Sequence, residues 1–537
     1  MRRRDHIQKL KAGNIFDLIV IGGGATGCGI ALDAASRGLN VALVEKNDFA
    51  EGTSGRSTKL LHGGVRYLES AVKHLDRVQY HLVKDALRER GILLQIAPHL
   101  SSRLPLLTPL YRWWEIPYIL AGLKLYDLLA GPMGIGGSRL LGRKETLRRY
   151  PMLKAQGLKA GVLYYDGQFN DARMAVSVAL TAVEFGAAMA NHVAVTGFLR
   201  ENGRTTGVLV KDSISGDAWP ISARVVINAT GPFADRIRLM DDPAAPPILK
   251  PSEGVHLLLD KRFAPLDTGL LIPRTDDGRV LFVLPWEGHA LVGTTDDPAE
   301  VSEHPCPTQE NVNYLLQYIE RYFNIQASES DVKATWAGLR PLVLDPKAVD
   351  TAKLSRDHVL RESPSGLISV SGGKWTTYRK MACDAVDYAV QRLGLKTAKA
   401  CWTDRITIVG GENFDPDGGG KLAAEFGFSP HSASHLNRSY GNRTSVVARI
   451  AGEGFGVPLA EGHPYLEAEA IYAARHEFAQ HVMDVLARRT PLALLDTAAA
   501  RSAAPRVLDL MAGELGWNAA RRHEEELMVA ERLNTAI

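Results

Sequence analysis

The apolar positions of this chain change their period at identifiable places, and each change marks an element. Residues 16–21, FDLIVI, form a short run rich in β-branched side chains and bounded by glycines, the pattern of a strand buried on both faces. A glycine turn follows, then a helix over 28–37 and a second apolar strand over 41–44 that ends at Glu45. A basic amphipathic helix is expected near 72–94, and a further helix over 171–185 leads into strands near 188–199, 207–211 and 224–229. From there strand-like runs alternate with turn signals, at 255–259, 269–272, 280–284 and 290–294, as in an antiparallel sheet with one wetted face. A helix over 309–322 covers that sheet, strands return near 333–339, 358–360 and 367–370, and a helix opens near Thr376. The stretch GGENFDPDGGG, 410–420, reads as a linker, and the remainder is mainly helical, with Ala, Leu, Arg and Glu predominating.

The segment LPLLTPLYRWWEIPYILAGLKLYDLLAGPMGIGG, 104–137, stands apart. Arg112, Glu115, Lys124 and Asp127 interrupt it, so no stretch reaches the ~18 uninterrupted apolar residues that a spanning helix requires. Trp113, Trp114, Tyr118 and Tyr126 with flanking cations suit a membrane interface, and an internal pair of core helices accounts for the same residues. The residues alone leave both readings standing.

Composition narrows the class. At 537 residues with 45% apolar content the chain fills about two to four domains. Lys plus Arg exceed Asp plus Glu by only 63 to 60, a formal charge of +3, which argues against a general nucleic-acid-binding protein. Cys28, Cys306, Cys383 and Cys401 show neither CxxC spacing nor a neighbouring histidine pattern for zinc, and read as packing thiols in a reducing compartment. The N-terminal MRRRDHIQKLKAGNIF lacks the apolar run and cleavage site of a secretory signal. It reads as a short extension, either solvated or attracted to anionic lipid or a neighbouring acidic face. In HEFAQH, His476 and His481 are five apart and fall about 140° apart around a helix, so a solvated helix face is expected rather than a zinc site.

The candidate chemistry begins at the first turn. Gly22, Gly24 and Gly27 supply G-x-G-x-x-G after a strand and before a helix, with Glu45 at the tip of the next strand. In that setting the helix N-terminus faces a pyrophosphate and Glu45 accepts hydrogen bonds from an adenosine ribose. Thr53, Ser54, Ser57 and Lys59 then lead to His62-Gly63-Gly64, where small polar groups and bare backbone suit a flat flavin ring. Arg66 and Tyr67 follow, as contacts to an anionic substrate or as a surface cation and a half-buried aromatic. A second glycine pair, Gly372-Gly373, precedes Lys374 and a helix N-terminus, a place for negative charge on a reduced flavin. Arg340 and Arg356 form a phosphate or carboxylate clamp if they converge with Arg66, and are otherwise surface residues of a sheet. His256, on an apolar strand, is either a base or a satisfied core histidine.

The ordered series DLIVIGGGATGCGIALDAASRGL, TSGRSTKLLHGGVRYLE, VVINATGPFAD, LVGTTDDP, GLRPLV, SRDHVL and SGGKWTTYRKMA resembles the FAD-dependent glycerol-3-phosphate dehydrogenases over about residues 15–410, and the helical tail resembles that family's C-terminal domain. The resemblance implies an α/β chain with a Rossmann-like FAD-binding domain, an antiparallel-sheet substrate domain and a C-terminal helical domain. The expected boundaries are a basic extension over 1–15, FAD-binding segments at about 16–100, 165–240 and 355–395, substrate-domain segments at about 101–164 and 241–354, and a helical domain over 411–537.

It further implies oxidation of sn-glycerol 3-phosphate to dihydroxyacetone phosphate with noncovalent FAD, ubiquinone or menaquinone as electron acceptor, a membrane-surface location and no nucleic acid; a homodimer is also considered. No calcium-binding EF-hand pair follows the core and no transit peptide precedes it, so the bacterial type is expected, at the inner face of the cytoplasmic membrane. An oxygen-using α-glycerophosphate oxidase and a non-catalytic flavin-binding membrane sensor are the competing readings.

By resemblance Arg66, Tyr67, His256, Arg340, Arg356, Lys374 and Thr376 belong to the substrate pocket, with His256, Arg340 and Lys374 as its catalytic groups. Gly22, Gly24, Ala25, Thr26, Gly27, Glu45, Lys46, Thr53, Ser54, Ser57, Lys59, His62, Gly63, Gly64, Ala229, Gly231, Gly372, Gly373 and Lys374 belong to the FAD site. No metal site is expected.

Overall fold

The strand Phe16–Ile21 has the burial its apolar run predicts, because it pairs in parallel on both sides, with Val41–Val44 and with Ala218–Asn228. This computed structural model describes residues 2–65, 68, 76–344, 358–394 and 399–534. Parallel pairing continues outward to Ala188–Ala190 on one flank and Ile368–Gly372 on the other, and the antiparallel His358–Glu362 closes that edge. Leu18 and Val20 face a layer that includes the helices Ala25–Ser36, Asp171–Glu184 and Tyr378–Leu393. Ile19 and Ile21 face the other side, where an antiparallel ribbon, Val193–Glu201 with Arg204–Asp212, packs with Trp219 and Ile221. The expected helix over 28–37 begins three residues earlier, at Ala25, because Gly24 takes the N-cap position.

The second sheet holds Ser252–Leu259 between Val332–Arg340 and His289–Gly293, and continues through Leu281–Trp286, Gly269–Ile272, Ser101–Leu110 and Ala160–Phe169. It is mainly antiparallel, with a parallel junction where Gly269 and Leu270 meet Leu106 and Leu107. The strand Ala160–Phe169 runs through the boundary expected at 164/165, and the short strand Leu60–Leu61 joins this sheet rather than the first.

The segment 104–137 is neither a pair of core helices nor one apolar block. Its first part completes the strand Ser101–Leu110, and its one α-helix, Glu115–Ala130, runs into a 3-10 turn at Gly131–Met133. Prolines 105 and 109 are tolerated because the parallel junction spans only residues 106 and 107, so neither proline interrupts that junction.

Two other expectations change. The N-terminal segment is not a solvated tail: Arg3–Lys11 is a helix with His6, Ile7 and Leu10 buried. Arg3 meets Asp212 at 2.8 Å and Lys11 meets Asp217 at 2.6 Å, so these two basic residues lie against acids of the same chain. The 410–420 stretch is not a loose linker, since a Cβ on Gly441 would lie 1.8 Å from the Gly410 carbonyl oxygen, and the helix Gly418–Phe426 begins inside it.

The helical C-terminal part is fastened to the first sheet by buried ions. Asp48, three residues beyond Glu45, accepts from Arg489 Nη1 at 2.6 Å and Nη2 at 2.9 Å, and from Arg488 Nε at 2.6 Å. Arg173 on the Asp171–Glu184 helix binds Glu477 at 2.7 Å. His481 is not on a solvated face; it is half-buried against Glu525 and Arg521, whereas His476 is exposed at the end of a different helix. Removing one partner of a buried pair leaves an uncompensated charge at a cost of about 3–5 kcal/mol. Arg489→Ala is therefore expected to lose about that much stability, read from denaturant unfolding monitored in both halves of the chain. An unchanged midpoint would show that the pair does not fasten the two parts.

Candidate active site

The end of the first sheet, the turn at 372–374 and the inner face of the second sheet enclose a cavity of about 700 Å³. The two glycine turns meet there. His62 N donates to Thr376 Oγ1 at 3.3 Å, and Trp375 Nε1 donates to the Ser54 carbonyl at 2.9 Å. Residues 53–64 and 372–377 are thus stitched together across more than 300 positions of sequence.

The wall nearest the first sheet contains Gly22, Gly24, Ala25, Thr26, Glu45, Lys46, Thr53, Ser54, Ser57, His62, Gly64, Ala229, Gly231, Gly372, Gly373 and Lys374. Thr26 lies in the first turn of its helix, where backbone N–H groups lack intrahelical partners. Ser54 Oγ accepts from Ala25 N at 2.9 Å. Glu45 accepts from Gly23 N at 2.5 Å and Asn47 N at 2.8 Å, and burial pushes its carboxyl up to about 7 against those two bonds. Two amide bonds leave carboxylate lone pairs for ribose hydroxyls. Ser371 Oγ on the same wall is buried with no hydrogen-bond partner among the described residues. A helix N-terminus, an acid at the tip of the second strand and an orphaned hydroxyl fit a dinucleotide such as FAD.

Three of the expected cofactor residues stand behind this wall. Gly27 is required by packing, since a Cβ there would lie 1.9 Å from the Gly22 carbonyl oxygen. Lys59 is 1% exposed and bound to Asp171 at 2.5 Å, which commits its charge to the helix behind. Gly63 is small because Leu87 and Tyr126 press on it: a Cβ would meet Leu87 at 2.7 Å and the Tyr126 hydroxyl at 2.9 Å. Tyr126 Oη accepts from Gly63 N at 2.7 Å and donates to Asp166 at 2.8 Å, and Asp166 also holds Arg90 at 2.6 Å.

On the opposite wall His256 and Arg340 line the cavity, and Thr376 lines it beside His62. His256 is held between an edge and a face. Its Nε2 lies 2.9 Å from Thr58 Oγ1, its ring stacks on Trp336 at 5.3 Å, and its Nδ1 is buried without a partner among the described residues. Burial, then Arg340, then Lys59 hold it well below the ordinary histidine value, so the ring is neutral at pH 7. Arg340 is bound to Asp296 at 2.9 Å, to Thr294 Oγ1 at 3.1 Å and to the carbonyls of Glu253 and Thr295. It therefore presents a fixed guanidinium, partly offset by one carboxylate. Arg66, Tyr67 and Arg356 lie outside the described residues, so the expected clamp is represented here by Arg340 alone.

Sequence reasoning passed over Thr58, Trp336, Asp296 and Asp166, and Tyr126, read there as either an interfacial or a core aromatic, is buried. Asp166 carried a signal, a lone acid in the apolar strand AGVLYYDGQF, and Asp296 lay inside the motif LVGTTDDP. Thr58 lay inside TSGRSTKLLHGGVRYLE, and Trp336 carried no signal, because its role arises from pairing across the fold. Arg56 was also passed over; it lines the cavity and is buried, and that burial pulls its guanidinium down to about 10.

Comparison with known proteins matches this geometry. A family model described as FAD dependent oxidoreductase matches residues 17–379, and one described as the C-terminal domain of alpha-glycerophosphate oxidase matches 401–522. The mitochondrial glycerol-3-phosphate dehydrogenase of Mus musculus is 46% identical over 537 residues, covering 97% of this chain and 74% of that protein. The probable mitochondrial enzyme of Caenorhabditis elegans is 47% identical over 533 residues, with coverage again of 97% and 74%. The crystal structure of the glycerol-3-phosphate dehydrogenase from Bacillus halodurans complexed with FAD aligns with a TM-score of 0.81 at 31% identity, over 99% of this chain and 97% of that one. By sequence, fold and the composition of its cavity, this chain belongs to the FAD-dependent glycerol-3-phosphate dehydrogenase family.

Proposed function

We propose that this protein oxidises sn-glycerol 3-phosphate to dihydroxyacetone phosphate and passes the electrons to a membrane quinone. The observation that carries the reading is the meeting of the two glycine turns, which leaves His256, Arg340, Lys374 and Thr376 around one cavity. FAD, when bound, supplies a two-electron acceptor for hydride. Gly22 to Thr26, Glu45, Ser54 and the turn Gly372-Gly373 would hold it, through helix N–H groups at the diphosphate and the Glu45 carboxylate at the ribose.

In this assignment Arg340 anchors the substrate's phosphate and Lys374 adds positive charge beside the forming ketone. Its rigid mooring to Asp296 and Thr294 lets Arg340 act without the entropic cost of ordering a long side chain. His256 takes the hydroxyl proton at Nε2, the atom now facing Thr58 Oγ1. A neutral imidazole is the form a base needs, although a low proton affinity weakens it. Entry of an anionic phosphate opposes the fields of Arg340 and Lys59 and restores part of that affinity.

The quinone and membrane parts rest on the surface around Glu115–Ala130. Trp113 is 68% exposed, Trp114 63% and Leu128 75%, with Arg112 over the Trp114 ring and Lys159 over that of Trp113. Aromatic rings beside cations suit a lipid interface. Among the described residues no helix is long and apolar enough to cross a membrane.

Three outcomes are expected. Anaerobic glycerol 3-phosphate bleaches the flavin absorption while unphosphorylated glycerol at the same concentration does not; an unbleached flavin would defeat the reading. A ubiquinone analogue accelerates turnover in an oxygen electrode experiment without matching peroxide release, whereas stoichiometric peroxide would favour an oxidase. Arg340→Ala, checked for folding, loses about 1.5–3 kcal/mol of charge-assisted binding, a ten- to hundredfold fall in kcat/KM.

The pH profile tests the base. A base must be unprotonated, and a lowered histidine pKa moves the acid limb of kcat/KM to lower pH. That limb is expected below the ordinary value of about 6.5 and is expected to vanish in His256→Asn. An unchanged limb in the variant would assign the proton to another group.

A further inference from the structure

Away from the cavity, two cysteines come together around the first helix of the dinucleotide unit. Cys383, on Tyr378–Leu393, and Cys401 place their sulfurs within 4.8 Å of each other and of an Asp33 carboxylate oxygen. Both side chains are partly exposed, within reach of a small solute.

The surroundings of the two sulfurs differ. Cys401 Sγ receives Arg379 Nη1 at 3.7 Å and lies 3.3 Å from Thr403 Oγ1. Cys383 Sγ donates to Asp387 Oδ2 at 3.7 Å, and Arg37 Nη2 lies 3.8 Å from it. Each sulfur has an arginine beside it, so the difference lies in the other neighbour: a hydroxyl supports a thiolate at Cys401, while a carboxylate keeps the proton on Cys383. The Cys383 thiol, whose one proton is shared between Cys401 and Asp387, draws the Cys401 thiol down against its burial, and Thr403 acts in the same direction.

A metal ion would meet the wrong charges here. The Asp33 carboxylate is already gripped by Arg37, through Nε at 3.1 Å and Nη2 at 2.5 Å, and Arg379 stands at Cys401.

We propose that Cys401 and Cys383 form a peroxide-oxidisable pair, with Cys401 as the nucleophile and Cys383 as the resolving thiol. The Cys401 thiolate attacks one oxygen of a hydroperoxide; the S–O bond forms, the O–O bond breaks, and the departing hydroxide takes a proton from water or buffer. Sulfur loses two electrons and the peroxide gains them. The Cys383 sulfur then attacks the sulfenic sulfur, the S–S bond forms, the S–O bond breaks, and water leaves with the thiol proton. The sulfurs, now within 4.8 Å of each other, must close to about 2.05 Å.

The disulfide would tie Tyr378–Leu393 to the segment around Thr403. The Tyr378–Leu393 helix follows the turn that borders the cavity, and its Tyr378 and Ala382 pack on Gly29 of Ala25–Ser36. Oxidation thereby acts on elements that hold the cofactor.

The test treats the purified holoenzyme with a few equivalents of hydrogen peroxide and maps its peptides without reduction. A Cys383–Cys401 cross-link lighter by two hydrogens is expected, with a Tm that rises by a few degrees and returns with dithiothreitol. Cys383→Ser is expected to leave a sulfenic acid on Cys401 that dimedone traps, and Cys401→Ser to abolish the cross-link. The exposed Cys306 serves as the reference thiol. Oxidation of Cys306 ahead of Cys401, or no cross-link in the wild type, would overturn the proposal. Stoichiometric zinc, offered alone and retained through gel filtration while shielding both thiols, would overturn it in favour of a metal site.

Discussion

The hydrogen bonds that join residues 53–64 to residues 375–377 are the constraint on which the rest depends. Without the His62–Thr376 and Trp375–Ser54 contacts, the cavity would lose the closure between its two turns. The parallel sheet supplies one floor, because Phe16–Ile21, Ala218–Asn228 and Ile368–Gly372 lie side by side and end together near the cavity. The second sheet supplies the other wall through Ser252–Leu259 and Val332–Arg340, whose register sets His256 opposite Trp336. The cavity therefore rests on long-range registry between parts of the chain that have no local reason to meet.

Much of the architecture was legible from periodicity. The first strand, the second strand and the helix Gln309–Tyr322 fall where the pattern places them, because each has an unmixed environment: buried on two faces, or wet on one. The strand Ser101–Leu110 was obscured by two prolines, which local rules count against a strand and which the limited span of its parallel junction forgives. The packed 410–420 stretch misled for the converse reason. Glycine density marks flexibility in isolation and close approach in context, and only the His99, Tyr440 and Gly441 contacts distinguish the two.

The candidate site divides in the same way. Gly22, Gly24 and Glu45 carry a local signature, so the sequence points to the cavity wall they form. Lys59 and Gly63 belong to the same stretch yet serve the protein interior, one as counter-ion to Asp171 and the other as a landing for Tyr126. Arg340 was visible as a cation, but its mooring to Asp296 was not, since 44 positions separate the two residues. Charges were readable; their partners were not, because partnership is a property of the folded register.

The Tyr126 hydroxyl makes the Glu115–Ala130 helix a lever with one end in the interior. Its outer side bears Tyr118 and Leu128, while its inner side grips the amide of Gly63 and, through Asp166, the guanidinium of Arg90. The helix is thus bonded directly to the backbone amide beside His62, with no loop between them. The exposed aromatic surface of that helix and the residues behind the cavity wall are therefore one phenol apart.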